Sequence, residues 1–472
     1  MEKASKESAA EFASSSLGDV RRNARAANVV DSLVTRGGRS AARTCGSWAA
    51  SKACYRLVGN PTVAHSDLLA GHAAATVARA QGRPIMLAAQ DTTTLSFPNR
   101  EVEGLGPVDS FLSVPGFFAH TALLIDPTGG EVLGVAAQEV WSRSWVPVSK
   151  TETDAERKLR SRESEHWGRV QEDVARAFGR SPGADGTWYP PAETAAHVIA
   201  VFDREGDIFE AMETLRQLDH GFVIRAIRNR KLKVPVDECS LSFDAVVAAA
   251  PLGEMTVQVP RGPGQKTRTA TLSVRSVTLS LLPPKNRGRK GASMPVNMVL
   301  VREDQPLPDG TEPLCWYLLT SEPCGTLQDA LTVVRYYKFR WKVEEFHMGL
   351  KTGCGIENVQ FASMHALVNY LALAVVASWR LLALRDLSRN DATELPPDLL
   401  TEPQMSILRA EFPRLPPAPS PRQWLVAIAK LGGFFGRKSD GDPGWRTLWW
   451  GWKRLEDLER GWQLARARSG DE

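Results

Sequence analysis

The sequence predicts an α/β protein with helical flanks, and three observations carry that reading. Short, strongly apolar segments alternate with helical ones through the middle of the chain, in mixed order. Residues 235–320 break the alternation and read as β-rich. Residues 1–65 and 386–472 carry helical patterning, the first basic and the second rich in tryptophan.

The opening segment, 1–65, reads as a helical unit. Between Val20 and Asn60 stand eight Lys/Arg (Arg21, Arg22, Arg25, Arg36, Arg39, Arg43, Lys52, Arg56) against one acid, Asp31. Arg21, Arg22 and Arg25 can share one helical face. The scarcity of acids favours phosphate binding over a merely solvated surface.

Segment 66–385 holds the α/β pattern. Pro84–Gln90 is a strand that ends at Asp91. Phe117–Asp126 and Val132–Trp141 are strands joined by the turn Pro127-Thr-Gly-Gly. A charged helix is expected over Asp154–Ala177, a Pro/Gly loop over Gly179–Pro191, and a buried strand over His197–Phe202, ending at Asp203. Helix Asp207–Gln217 and strand Phe222–Ile227 follow. The β-rich stretch places strands at Met255–Val259, Ala270–Leu281, Pro295–Val301 and Leu314–Thr320. Met255–Val301 contains eight Lys/Arg and no acid, including the basic loop Pro283–Gly291. This is the pattern of an inserted β subdomain that touches a polyanion. Leu327–Leu350 reads as one long helix.

In segment 386–472 a linker with eight prolines, Leu395–Pro421, precedes a helical tail. Trp445, Trp449 and Trp452 recur at helical spacing there, serving both a small core and a protein–protein face.

Composition narrows the class. The 472 residues are 43% hydrophobic and 24% charged, the mix of a soluble globular protein, which excludes a collagen, a disordered chain and a small disulfide scaffold. The longest apolar stretch, Ala366–Leu384, is interrupted by Asn369, Tyr370 and Arg380 and reads as a buried helix, not a membrane span. The start, MEKASKESAAEF, has no apolar core and is not expected to be a secretory signal. Six cysteines show no Cys-x-x-Cys pair and eight histidines no zinc spacing, so a reduced, cytoplasmic protein is expected.

The carboxylates carry the functional reading. Asp91 and Asp203 each follow a buried strand, where a side chain stands on a rigid platform beside an accessible loop. Either alone could be a helix cap or a turn residue; two in one domain favour chemistry. At ~100° per residue, Tyr337, Arg340, Glu344 and Lys351 fall within about 60° of one another on the long helix, and Glu345 points away. A solvated Arg–Glu pair is the bland alternative, but such a helix has no need of all four groups in one file. Three carboxylates suit a hard divalent cation, Mg2+ or Mn2+. Paired ions of that kind serve phosphodiester chemistry, and Arg340 and Lys351 would hold phosphates.

DTTTLSF, DREGDIF and the file Y-x2-R-x3-E-x6-K resemble the DDE transposases of bacterial insertion sequences; the file is the signature of the insertion-sequence-four family. The resemblance continues through LGDVRRNARAANV, YRLVGNP, FVIR, WYLLTSEP, RWKVEEFH, AIAKLGGF and GWRTLWWGW, almost the whole chain. Met348 stands where the family carries a second lysine. The resemblance implies a ribonuclease-H-like mixed sheet over 66–385, with its β insertion, between an all-α DNA-binding domain and a helical dimerisation domain.

The resemblance further implies that Asp91, Asp203 and Glu344 ligate two Mg2+ (or Mn2+) ions, and that Tyr337, Arg340 and Lys351 contact DNA near the scissile phosphate. Arg21, Arg22, Arg25 and Arg56 would bind the transposon end, and Arg225 and Arg228 would add core contacts. Trp316 matches a tryptophan that stacks on a flipped base during hairpin formation, although its residue type alone favours core packing. The implied activity is cut-and-paste transposition by a homodimer on double-stranded transposon ends and target DNA, at the bacterial nucleoid. Its steps are nicking, hairpin formation, hairpin opening and strand transfer. Two rivals share these residues: a metal nuclease or resolvase of the same fold, and a catalytically silent DNA-binding regulator.

Overall fold

The computed structural model of the chain describes residues 5–37, 40–145, 162–190, 196–259, 268–284, 292–305, 312–389, 400–437 and 440–469. Its strands are β1 Ile85–Ser96, β2 Gly106–Pro107, β3 Pro115–Asp126, β4 Glu131–Trp141, β5 Ser181–Pro182, β6 Trp188–Tyr189, β7 His197–Phe202, β8 Gly221–Arg225, β9 Lys231–Val236, β10 Cys239–Leu241, β11 Pro251–Val259, β12 Arg268–Leu281, β13 Met294–Arg302 and β14 Cys315–Thr320. Among the described residues, twelve of them form one mixed sheet in the order β10-β9-β12-β13-β14-β8-β7-β1-β3-β2, with β4 on β3 and β11 on β12. β7 runs parallel to β1 and to β8. The β-rich stretch is therefore no separate layer: β14 pairs antiparallel with β8, Leu318 opposite Arg225, and prolongs the central sheet.

β1 and β3 read as unbroken apolar runs because both faces of the sheet are covered. Alternate residues turn to opposite sides. Met86, Ala88 and Leu124 meet Val170 and Val174 of the His166–Ala177 helix. Leu87, Ala89 and Leu123 join the larger core, with Leu371 and Val375 of the Met364–Arg389 helix. The β3–β4 hairpin turns at Pro127–Gly130 as expected. Gly130 has φ +73°, and a Cβ there would lie 2.4 Å from the Phe339 ring, so the turn sits against the end of the Leu327–Phe339 helix.

Several elements differ from expectation. β1 does not stop before Asp91; it runs on through the threonines of DTTTLS, whose branched side chains favour extended backbone. The long helix is divided into Leu327–Phe339 and Trp341–Met348. At the join, Arg340 N–H bonds Tyr337 O and Val343 N–H bonds Arg340 O, each at 3.0 Å, the tighter i→i−3 pattern. A wide π-helical turn, Gly349–Gly353, follows. Strand Phe222–Ile227 ends at Arg225, and helix Asp207–Gln217 starts only at Phe209. A hairpin (β9–β10) and helix Ser242–Ala248 precede β11. Of the charged helix expected from Asp154, the described part is His166–Ala177 after a 3-10 turn at Glu163–Glu165. Arg39, residues 154–161, most of the basic loop 283–291 and 395–399 of the linker lie outside the described residues.

The Met364–Arg389 helix is the hub of the molecule. Its Met364–Ala383 stretch is long and apolar enough to cross a membrane, yet it is largely buried within the protein. The Asn369 amide donates to Val58 O at 2.9 Å and Val63 O at 2.8 Å, which ties the helix to the N-terminal helices. Arg380 reaches Asp31 at 2.7 Å, and Asp31 also accepts from Ser5 and Ser8. In the tail, Trp424 and Trp452 help build a second core, while Trp449 packs into the first, against Gly37 and Gly353. Trp450 is half exposed, and the side chain of Trp445 lies outside the described residues.

Candidate active site

Asp91 lies in β1, and Asp203 just past the end of the neighbouring parallel strand β7. The β1–β7 register pairs Ala89 with Val201, two residues before each aspartate. Asp91 Oδ1 accepts the Thr92 N–H at 2.8 Å. Its Oδ2 faces Arg340 Nη1 and His347 Nδ1, each at 4.0 Å. Asp203 Oδ1 accepts the Glu205 N–H at 2.8 Å, which fixes the turn after β7. Glu344 is held by the Nη2 of Arg340, one helical turn before it.

The electrostatics agree with this grouping. Burial, then the negative charge of Asp203, push the Asp91 carboxyl up to about 7, and Glu344 adds to the push. The Arg340 guanidinium and the Thr92 N–H oppose it. The three carboxylates thus share one neighbourhood, as like charges around a partly buried point. They do not close into a coordination shell: among the described residues no three His, Cys, Asp or Glu side chains are gathered to hold a metal ion. The donor set, all carboxylate oxygen, fits a hard divalent ion.

Adjacent glutamates part ways. Glu345 turns from the site and is bound by Arg385, whose side chain is 2% exposed. Arg385 also meets Asp386 at 3.3 Å, and Asp386 takes Lys342 Nζ at 2.6 Å.

Tyr337 is buried. Its ring meets Trp316 edge-on, centroids 5.5 Å apart, and Arg340 lies 5.9 Å from its centroid. Trp316, half-buried on β14, is thus linked through Tyr337 and Arg340 to the carboxylates. It also packs against the core. Lys351 lies in the π turn, half-buried, and its charge reaches His347.

Sequence reasoning passed over two groups here. One is His347, three residues after Glu344 and buried beside Asp91. The other is His120 on β3, whose Nδ1 meets Thr92 Oγ1 at 2.7 Å and Nε2 meets Gln90 Oε1 at 2.9 Å. Burial pushes His120 down to about 3, so the ring is neutral and braces the strand around Asp91. The Glu-x-x-His spacing was the only local signal for His347.

The expected DNA-contacting arginines lie in two places. On the Val20–Arg36 helix, Arg21 is 83% exposed and rests on its own capping residue, Asp19. Arg22 donates to Leu17 O at 2.7 Å, and Arg25 is half-buried with its Nε unpaired. Arg56 is exposed on the Trp48–Val58 helix. Arg36, counted among the cations, turns inward to Thr44 O at 3.0 Å. Arg225 ends β8, and Arg228 lies in the next loop. That loop is propped by fully buried Asp207, which accepts the Ile227 and Arg228 N–H groups at 2.9 Å each and pairs with Arg230. The first four belong to the helical unit, away from the sheet, whereas Arg225 ends β8, whose Ile224 pairs with Phe202 of β7, so that Arg225 and Asp203 follow one residue later on neighbouring chain segments.

Two family models match the chain. Residues 6–63 match the transposase DNA-binding family, a span that includes Arg21, Arg22, Arg25 and Arg56. Residues 376–471 match the dimerisation domain of transposase Tn5, a span that begins inside the Met364–Arg389 helix and runs through the Trp-rich tail. A match to a transposase DNA-binding domain before the mixed sheet in sequence, and one to the Tn5 dimerisation domain after it, together support a Tn5-like transposase.

Proposed function

We propose that this transposase works by cut-and-paste, through a ribonuclease-H-like core in which Asp91, Asp203 and Glu344 form the catalytic trio. The observation that carries the reading is Asp91 in β1 with Asp203 just past the end of the adjacent parallel strand, near enough for its charge to act on Asp91, and Arg340 bridging towards Glu344. Mg2+ or Mn2+, as two ions per site, would supply activation of a hydroxyl nucleophile and charge stabilisation at phosphorus. The chain's own residues do the rest. Asp91, Asp203 and Glu344 present acceptor oxygens from rigid elements. Arg340, Lys351 and Tyr337 contact the DNA near the scissile phosphate, the two cations holding phosphate oxygens. The DNA-binding domain positions a transposon end, and the dimerisation domain pairs two copies of the chain. Each nicked end closes to a hairpin, reopens and joins target DNA.

The test is a cleavage and joining assay on linear DNA carrying the sequences that flank the gene. Nicked, hairpin and joined products are expected with Mg2+. Asp203→Ala should remove all three and leave the gel shift unchanged. Nicking without joining would make the chain a nuclease, and binding without any cleavage would make it a silent regulator.

Two further outcomes follow from the same reading. Arg21→Glu with Arg25→Glu should weaken end binding, and the salt slope should fall by about one unit for each phosphate no longer neutralised. Arg21 is the cleaner probe, because Arg22 also holds the Leu17 carbonyl. An unchanged gel shift moves the recognition surface elsewhere. Trp316→Ala should nick normally and form hairpins ~10–100-fold more slowly, since a stacked base contributes about 1–3 kcal/mol. Equal loss at every step together with a lower melting temperature makes Trp316 a packing residue.

A further inference from the structure

His347 is a buried polar side chain for which the proposed chemistry has no use. Its side chain is 8% exposed, on the face of the Trp341–Met348 helix that meets β1. Nε2 has no hydrogen-bond partner. Nδ1 points to Asp91 Oδ2 at 4.0 Å. The other Asp91 oxygen is already taken by the Thr92 N–H, and Arg340, the second group near Oδ2, is committed to Glu344. An apolar residue would occupy this buried position beside Phe346 without a desolvated ring nitrogen.

Of the two ring nitrogens, Nδ1 has a carboxylate oxygen facing it and Nε2 has no partner. The charged and titratable groups around it are Asp91 on β1, His120 on β3 and Lys351 in the π turn that follows its helix. A buried N–H without an acceptor is the costlier choice, so the proton belongs on Nδ1, facing the carboxylate, and the bare lone pair on Nε2. Catalytic hydrogen bonds are often long in a resting site and shorten when it is loaded.

We propose that His347 is a positioning residue for Asp91: its Nδ1–H fixes the Oδ2 oxygen and so sets how Asp91 is presented to a divalent cation shared with Asp203 and Glu344. The assignment rests on the metal-dependent reading above. Partners that orient a ligating carboxylate typically matter 10–100-fold in metal affinity.

The experiment is Mn2+ binding to the full chain without DNA, read by electron paramagnetic resonance of free Mn2+, with a melting curve for each variant. Asp91→Asn is the control. His347→Leu should weaken binding by about 10–100-fold. His347→Asn places an amide N–H where Nδ1–H stood and should bind within about threefold of wild type. Wild-type binding no tighter than that of Asp91→Asn removes the metal-dependent reading, and this assignment with it. Wild-type binding that Asp91→Asn loses and His347→Leu keeps overturns the His347 assignment alone. Equal loss in the Leu and Asn variants with lowered melting temperatures makes His347 a packing residue and also overturns it.

Discussion

Asp91→Asn should melt several degrees above the wild type at pH 8 without divalent metal, while cutting no DNA. Burial and the charge of Asp203 push the Asp91 carboxyl up to about 7, well above an unfolded aspartate. A group whose folded pKa is raised contributes stability that is complete below the unfolded value and is lost as the pH climbs through the folded one. The window therefore runs from about pH 4 to pH 7, and at pH 8 the ionised Asp91 opposes folding. At 1.36 kcal/mol per unit the raised value is worth about 2–4 kcal/mol. Asparagine keeps the shape and removes the charge. The advantage of the variant should shrink as the pH falls through that window. Mg2+ should reverse it, because the cation raises the stability of the wild type and not of the variant. Thermal scans at pH 4, 6 and 8, with and without Mg2+, read this directly. A variant that melts no higher than wild type at pH 8 would show that the aspartates are not crowded.

Much of this was legible locally. Short apolar runs marked β3, β4 and β7, and the Pro-Thr-Gly-Gly turn marked the β3–β4 hairpin, because two-sided burial and turn geometry leave a mark within a few residues. What involves distant partners did not show. The nearness of Asp91 and Asp203 rests on a register between strands more than a hundred residues apart. The continuity of β14 with β8 is of the same kind. Polar residues in apolar settings misled for the same reason. Asn369 looked like an interruption and is a tie to the N-terminal helices; Asp31, the lone acid of a basic segment, holds Arg380, Ser5 and Ser8. The division of the long helix at Arg340 left no sequence signal, since neither glycine nor proline marks it. His347 could not be told from a core histidine without knowing that its helix face meets β1.

Glu344→Ala and Glu345→Ala should fail in opposite ways, though the residues are neighbours. Glu344 is a third exposed and pairs with Arg340 one turn away. Such a pair is worth about 0.3–0.5 kcal/mol, and its removal also relieves the negative charge pressing on Asp91. Glu344→Ala should keep the wild-type melting temperature and lose nicking by about 10²–10³-fold or more, the scale of removing one group that stabilises developing charge. Glu345 instead holds Arg385, almost fully buried. Without it, Arg385 loses the carboxylate that faces it from the Trp341–Met348 helix. Removing one partner of a buried pair costs about 3–5 kcal/mol, so Glu345→Ala should lower the melting temperature and, assayed cold, still nick. Glu345→Gln keeps an acceptor for Arg385 and should recover part of the loss. Nicking assays beside melting curves decide the matter. If Glu345→Ala stays folded and cuts nothing while Glu344→Ala cuts, the catalytic face of the helix is the other one, and Arg385 is then the cation that serves it.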